Sequence, residues 1–146
     1  MTGSTLEIRS FHDRLAIEVA ELTHEGTIFR CTLEKGAFRG EVVANTYLVG
    51  PPSILFAAIA REWRGWNGAK TWQDRDYALT LKAHCNSGGA VTLHVEMRLD
   101  QPPELTTLTS SLYLESAYLD RIAREAADLF QEDRSLQFLS SLGRRN

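Results

Sequence analysis

The middle of the chain reads Trp63-Arg64-Gly65-Trp66-Asn67-Gly68-Ala69-Lys70-Thr71-Trp72, and all 3 tryptophans of the sequence lie in this stretch. Apolar residues at helical spacing precede it, and residues that alternate with period two follow it. We therefore expect the stretch to join two halves of one domain through a helix end, a tight turn and entry into a strand. Gly65 would close the helix in a left-handed conformation, and Asn67-Gly68 would form a type I′ turn.

The residues before this connection predict strands followed by one helix. Alternating apolar and polar side chains over 6–19 predict a half-buried hairpin, and 27–34 and 38–49 predict two further strands. A glycine inside the last of these strands, Gly40, predicts a bulge or a close backbone approach. Pro51-Pro52-Ser53 predicts a helix start with Ser53 as the N-cap. The apolar stripe of this helix consists of Leu55, Phe56, Ile59 and Trp63.

The residues after the connection predict a second set of strands and a second helix. Alternation over 77–85 and 91–99, with a turn at 86–89 between them, predicts a hairpin in which both apolar sets face the same side. The simplest register sets Cys85 opposite Val91 and Lys82 opposite His94. A further strand is expected around 108–114. The next elements are a helix capped by Ser116 and a short, loose helix that carries Leu136, Leu139 and Leu142.

This order of strands, helix, strands and helix predicts an α+β fold, in which an antiparallel sheet of hairpins carries two helices on one face. No Gly-, Ser- or Pro-rich linker divides the sequence, so residues 1–146 are expected to form a single domain. Its core would span about 6–130, and 131–146 would be a loosely attached C-terminal segment.

Composition limits the classes of function. A chain of 146 residues with 43% hydrophobic and 24% charged residues is typical of a globular domain. The net charge of −3 argues against a general nucleic-acid binder, whose affinity comes from Lys and Arg. No apolar run approaches a membrane span, Met1–Thr5 lack the pattern of a secretion signal, and Cys31 and Cys85 fall in strand-like segments. We expect a cytoplasmic protein without nucleic-acid or membrane partners.

The sequence predicts no catalytic residues, no metal and no cofactor. His84 and His94 are expected on one face of adjacent strands, but two histidines without a further ligand are typical of a solvated surface rather than of a zinc site. Asp74 and Asp76 could share a face as a carboxylate pair, although such residues more often solvate the start of a strand. The serines Ser110 and Ser111 lack the glycine-flanked context of a nucleophile.

The tryptophan connection itself offers two interpretations. In the first, Trp63 and at least one of Trp66 and Trp72 are core rings that join the helix to the sheet. In the second, Trp66, Lys70 and Trp72 form a binding surface, because Trp is enriched at interface hot spots and Lys70 could sit over an indole face.

Four stretches resemble a bacterial domain family of unknown function. They are 56–63, the W-x-G-W-x-G-x-K-x-W pattern at 63–72, the strand at 91–97 and Leu112-Tyr113-Leu114-Glu115. More distantly, the same order of elements is similar to the immunity proteins that protect bacteria from WapA-type toxins. The resemblance implies a binding protein and no catalytic residues.

The sequence therefore predicts a non-enzymatic protein-binding domain, with an immunity protein that neutralises a toxin from a neighbouring gene as its specific form. The alternative is a small-molecule-binding or catalytic domain with a pocket near Trp66, Lys70 and Trp72. A self-associating module, formed through the threonines of an outer sheet face, is the third interpretation, and a homo-oligomer is compatible with each of them.

Overall fold

Two antiparallel sheets of four strands each dominate the computed structural model, which describes residues 4–86 and 88–143. Within each sheet, every strand pairs with the next one along the chain. The first sheet consists of β1 (Thr5–Ser10), β2 (Asp13–Thr23), β3 (Gly26–Lys35) and β4 (Phe38–Asn45). The second consists of β5 (Ala69–Gln73), β6 (Leu79–Cys85), β7 (Val91–Gln101) and β8 (Glu104–Leu114).

Three α-helices accompany the sheets in the part of the chain that the structure describes. The first, α1 (Ser53–Arg61), connects β4 to β5, and a short 3₁₀ helix (Ser116–Tyr118) leads from β8 into α2 (Leu119–Leu129). The last helix is α3 (Ser135–Gly143). Helix α2 packs on α1 and on β1, whereas α3 packs on β3. Among the described residues, none of the helices has the length and hydropathy that a membrane crossing requires.

The predicted α+β class, built from antiparallel hairpins, is confirmed. The strands divide into two sheets, however, where the sequence predicted one. Alternation specifies which strands pair within a meander, but it does not say whether the strands before and after α1 share a sheet. The predicted register of the β6–β7 hairpin is also confirmed, because Cys85 lies opposite Val91 and Lys82 opposite His94.

A single cluster of buried apolar side chains draws on both sheets and on the first two helices. Phe29 and Leu15 come from the first sheet, Leu81 from the second, and Phe56 and Ile122 from the helices.

The two sheets meet closely at Gly40 in β4. A Cβ atom at this position would lie 2.6 Å from Cδ2 of Leu108 in β8, so the missing side chain makes room for the opposite sheet. The approaching atom belongs to the Leu108 side chain rather than to a backbone, and the β3–β4 register shows no bulge there, so neither form of the prediction for Gly40 is observed.

Three predicted boundaries are wrong. The strand expected over 38–49 ends at Asn45, because Thr46 O accepts the N–H groups of Val49 and Gly50 and so closes a turn. Ser53 is the first residue of α1 rather than its N-cap, a position that Pro52 occupies. Ser116 begins the 3₁₀ helix, and Tyr118 rather than Ser116 stands at the N-cap of α2.

The tryptophan connection follows the prediction only in part. Gly65 has the expected positive φ, +124°. The prediction of a type I′ turn at Asn67-Gly68 is wrong, because that turn needs positive φ at both residues and only Gly68 has it. The prediction that Trp63 is a core ring is also wrong. Helix α1 ends at Arg61, so Trp63 leaves the apolar stripe and its side chain is 50% exposed.

A buried hydrogen-bond network anchors the start of the C-terminal segment. The carboxylate of Asp133 accepts hydrogen bonds from the hydroxyls of Thr27 and Thr46, both at 2.6 Å, and from the N–H of Ser135 at 2.9 Å. Thr27, Thr46 and Ser135 are all buried. The sequence did not predict this attachment of 133–135 to the first sheet.

Candidate functional site

The structure separates the three residues predicted as a binding surface. Trp72 is buried in the core, where its Nε1–H donates to Gly50 O at 3.0 Å. Trp66 is only partly buried, and Lys70 Nζ lies 5.1 Å from the centroid of its ring. Lys70 also forms an ion pair with Glu62, which neutralises its charge. Trp66 and Lys70 are therefore together at the surface, and a binding role for this pair stays a prediction.

The predicted histidine pair is present on one face of β6 and β7. The ring centroids of His84 and His94 are 5.3 Å apart, and His94 Nδ1 lies 2.7 Å from Ser111 Oγ. Burial, and then the charges of His84 and Lys82, lower the pKa of His94, so its imidazole is neutral at pH 7. Within 4–86 and 88–143, no group of three or more His, Cys, Asp or Glu side chains could hold a metal ion.

The two aspartates considered as a carboxylate pair lie in different environments. Asp74 is 1% exposed and accepts the N–H of Leu79 at 2.9 Å, which closes the turn between β5 and β6. Burial raises the pKa of Asp74, and the charge of Asp76 raises it further. Asp76 itself is exposed. The environment of Asp74 is that of a buried turn cap.

A groove that the sequence did not identify lies where β1, the end of β8 and the first turns of α2 meet. Its volume is about 680 Å³, which lies within the range of ligand-binding clefts. Three aromatic side chains line it: Phe11, Tyr113 and Tyr118, with exposed fractions of 87%, 56% and 47%. The rings of Phe11 and Tyr113 meet edge to face at 5.8 Å. Exposed aromatic rings that line one concavity are typical of a recognition site.

Phe11 adopts an unfavourable backbone conformation. It lies in the two-residue turn between β1 and β2, and its φ is +55°. A left-handed conformation costs a residue other than glycine about 1–2 kcal/mol. The side chain does not offset this cost by burial, since it is the most exposed of the large apolar side chains in the described part of the chain. Leu48 and Tyr77 are also exposed and have positive φ, of +65° and +61°. The strain therefore makes Phe11 a candidate functional residue only together with its position at the groove.

The rest of the turn region holds the groove walls in position. Ser10 Oγ accepts the N–H of Tyr113 at 2.9 Å, and Ser110 Oγ donates to the carboxylate of Asp13. These bonds tie the β1–β2 turn to the edge of β8. Phe11 and Tyr113 are therefore held on two different sheets that are fixed to each other.

Charged groups at the groove are mostly paired. Hydrogen bonds from Arg14 and then Arg9 lower the pKa of Glu7. Arg121 has its guanidinium carbon 4.9 Å from the centroid of the Tyr118 ring and its Nε 3.8 Å from Glu125. Glu115 has no ion-pair partner within 4–86 and 88–143. The groove therefore presents one uncompensated carboxylate beside its aromatic rings.

The signals of this groove were present in the sequence, but their meaning depends on the fold. Phe11 is an aromatic residue in an otherwise polar interruption of two alternating strands, which is an unusual position for a ring. Tyr113 alternates with the buried Leu112 and Leu114, which places its side chain on the outward face of its strand. Only the packing of α2 on β1 brings these residues together with Tyr118.

A family model described as a family of unknown function, DUF6228, matches residues 9–133 of the chain. The chain belongs to this family, and the predicted membership of an uncharacterised domain family is confirmed. The matched region includes all three aromatic residues of the groove. Comparisons with curated proteins and with solved structures give no match. The tryptophan pattern as a family signature and the similarity to immunity proteins stay predictions.

Proposed function

We propose that the chain is a non-enzymatic protein-binding domain and that the groove between β1, β8 and α2 is its contact surface. The observation that carries the proposal is the exposure of Phe11 at 87% in a strained backbone conformation, beside two further exposed rings. Aromatic and Arg side chains dominate the binding energy of protein interfaces. Burial of one such ring by a partner supplies about 1.5–3 kcal/mol, which exceeds the gain expected from most polar rim contacts.

The partner that we propose is a toxin encoded by a neighbouring gene, so that the chain would act as an immunity protein in the cytoplasm. Two features of the sequence support this form of the proposal. One is the resemblance to immunity proteins in the order of the elements. The other is the net charge of −3, which favours association with a basic partner.

The test is co-expression of the chain with the products of the adjacent genes, followed by size-exclusion chromatography with light scattering. We expect a complex that Phe11→Gly and Tyr118→Ala each weaken at least tenfold. Phe38→Ala is the matched control, because Phe38 is 73% exposed but lies outside the groove. A complex that tolerates both groove variants would refute the groove as the contact surface, and the lack of any complex would refute the toxin as the partner.

The choice of Phe11→Gly keeps the folded state intact. Glycine adopts positive φ without strain, so the substitution releases about 1–2 kcal/mol. It also removes the contact with Tyr113, and an aromatic pair contributes about 0.5–1.5 kcal/mol. The two effects offset each other, and the free energy of unfolding should change by less than about 1 kcal/mol. A loss of binding in this variant therefore reports the missing ring.

A small-molecule site beside Trp66 and Lys70 is the second candidate, and one observation favours it. Trp66 Nε1 is buried and has no hydrogen-bond partner in the described part of the chain, so a ligand could accept from it. The ion pair between Lys70 and Glu62 and the burial of Trp72 argue against an open site. Quenching of tryptophan fluorescence by a metabolite panel, lost in Trp66→Phe and retained in Trp63→Phe, would favour this candidate over the groove.

A further inference from the structure

The first sheet has two edge strands, β1 and β4, and the groove lies along the edge of β1. The strand order β1-β2-β3-β4 leaves β1 with a single neighbour, β2. Ser10 pairs with Asp13 across a two-residue turn, and residues directly opposite each other alternate between hydrogen-bonded and non-hydrogen-bonded pairs. The backbone N–H and C=O groups of Glu7 and Arg9 therefore point away from β2. Within 4–86 and 88–143, no backbone hydrogen bond joins them to an element other than β2.

The groove follows this free edge. Residues 7–11 form one wall of the groove, and the opposite wall comes from 113–115 and from α2. Phe11 lies in the turn, so the strand part of this wall is 7–10. At about 3.3–3.4 Å per residue in a strand, it offers about 13 Å of length. An extended segment of about four residues fits such a wall, and edge strands are templates for this kind of pairing.

We infer that the groove accepts an extended segment of the partner protein as a fifth strand on the free edge of β1. This inference rests on the proposed protein-binding function. Backbone hydrogen bonds to Glu7 and Arg9 would supply affinity, as they do wherever a strand adds to a sheet edge. Alternate side chains of the segment would enter the groove, where the aromatic rings favour apolar residues.

The charge of the groove favours a segment that carries a basic side chain. Glu115 is exposed at the groove, while Glu7 and Glu125 each have an arginine partner. An unpaired carboxylate beside apolar rings favours a Lys or Arg side chain that is adjacent to an apolar one. The segment that fits is therefore extended, with apolar residues in alternation and one basic residue.

The test titrates the ¹⁵N-labelled chain with three synthetic hexapeptides. The first is acetyl-Val-Thr-Val-Lys-Val-Thr-amide, the second carries N-methyl groups on alternate residues, and the third has Glu in place of Lys. We expect the amide signals of Glu7 and Arg9 to shift with the first peptide. Both changes should weaken binding at least about threefold, because N-methylation removes backbone hydrogen bonds and the Glu peptide loses the charge contact. Glu115→Gln should abolish the preference for Lys over Glu.

Two matched variants of the protein test whether the outward N–H of β1 binds the peptide. Glu7→Pro removes one outward N–H without breaking a β1–β2 hydrogen bond, since proline is tolerated on an edge strand at such a position. Glu7→Ala keeps the N–H and is the control for the lost carboxylate. We expect Glu7→Pro to weaken the binding of the first peptide at least threefold more than Glu7→Ala does. If Glu7→Pro fails to fold, as judged by circular dichroism, the binding of the N-methylated peptide to the unsubstituted protein is the test of strand addition.

The results that overturn strand addition differ from those that overturn the proposed function. Equal binding of the N-methylated peptide, shifts confined to another surface, or no binding of any peptide at millimolar concentration each refute strand addition. A dimer of the chain that Glu7→Pro dissociates also refutes it, because a second copy would then occupy the edge. If the complex with the partner still depends on Phe11 and Tyr118, the protein-binding function stands although strand addition fails.

Discussion

The carboxylate of Asp133 should be one of the largest single contributions to the stability of the chain outside the apolar core. One of its oxygens accepts hydrogen bonds from the hydroxyls of Thr27 and Thr46, and the other accepts both the N–H and the hydroxyl of Ser135. Thr46 Oγ1 in turn accepts the N–H of Thr27 at 2.9 Å. The substitution to make is Asp133→Ala, which removes both acceptors at once.

The expected loss follows from the donors that remain. Thr27 and Thr46 are 0% exposed, so water cannot replace the carboxylate without a local opening. An unsatisfied buried donor costs about 1–3 kcal/mol, and three buried hydroxyls, those of Thr27, Thr46 and Ser135, lose their acceptor. We therefore expect Asp133→Ala to lower the free energy of unfolding by about 3–5 kcal/mol. Asp133→Asn should cost less than Asp133→Ala. Its amide NH₂ must still face either the N–H of Ser135 or a hydroxyl that has lost its acceptor.

Urea unfolding followed by circular dichroism measures this loss. With an m-value of about 2 kcal/mol/M, the midpoint of Asp133→Ala should fall by about 2 M. Glu132→Ala is the matched control. Glu132 is the adjacent exposed carboxylate, and its removal should change the free energy by less than about 0.5 kcal/mol. If Asp133→Ala loses less than about 1 kcal/mol with an unchanged m-value, the network does not anchor the segment and the reasoning is refuted.

Three further predictions concern single residues of the core and the turns. Trp72→Ala should lower the free energy of unfolding by about 3–5 kcal/mol, whereas Trp63→Ala should cost less than about 1 kcal/mol, and urea unfolding of both variants compares a buried with an exposed ring. Burial raises the pKa of Asp74 above its ordinary value of 3.8, so the folded chain binds a proton more tightly than the unfolded chain. The free energy of unfolding should then fall as the pH rises from 3.8 to the folded-state pKa, and Asp74→Asn should remove this fall in urea unfolding at a series of pH values. Burial raises the pKa of the Cys31 thiol and shields it from solvent. A thiol-specific disulfide reagent should therefore modify only Cys85 in the native chain and both cysteines after unfolding. Rapid reaction of both cysteines in the native chain would contradict the burial of Cys31.

Local patterns in the sequence predicted the strands and their pairing well. The alternation of burial has period two through β6 and through β7 as far as Met97, beyond which Leu99 is exposed. Within that range a shift by one residue would expose every buried side chain. The register with Lys82 opposite His94 was therefore strongly specified. The split into two sheets was not, because the sequence gives no local signal for the angle at which the chain leaves α1.

The errors at the tryptophan connection have a similar cause. Helical spacing placed Trp63 on the apolar stripe of α1, but the helix ends at Arg61, and helix ends are poorly specified by periodicity. Trp72 alternates with polar residues in β5 and is buried as its strand pattern requires. The distance along the sequence between two tryptophans therefore says little about whether they share an environment.

The groove could not have been predicted, because its residues are far apart in the chain. Phe11, Tyr113 and Tyr118 meet only after α2 packs on β1 and the β1–β2 turn bonds to β8. Each residue has an ordinary explanation when it is considered alone: a turn residue, an outward strand residue and a residue beside a helix start. Proximity in the folded chain is what changes their interpretation.

The strain at Phe11 supports the proposal that the groove is a recognition surface because it coincides with two further exposed rings, whereas Leu48 and Tyr77 have positive φ outside the groove. Glycine, Asn or Asp would stabilise a turn residue at φ +55° more than phenylalanine does. A local choice that conflicts with the backbone, and that burial does not offset, is expected at sites where function rather than stability constrains the residue. Tyr113 and Tyr118 adopt no such conformation and are still exposed on the same groove. The free edge of β1 lies along these rings, so the groove combines apolar contact area with unpaired backbone donors and acceptors, and together these recognise an extended chain.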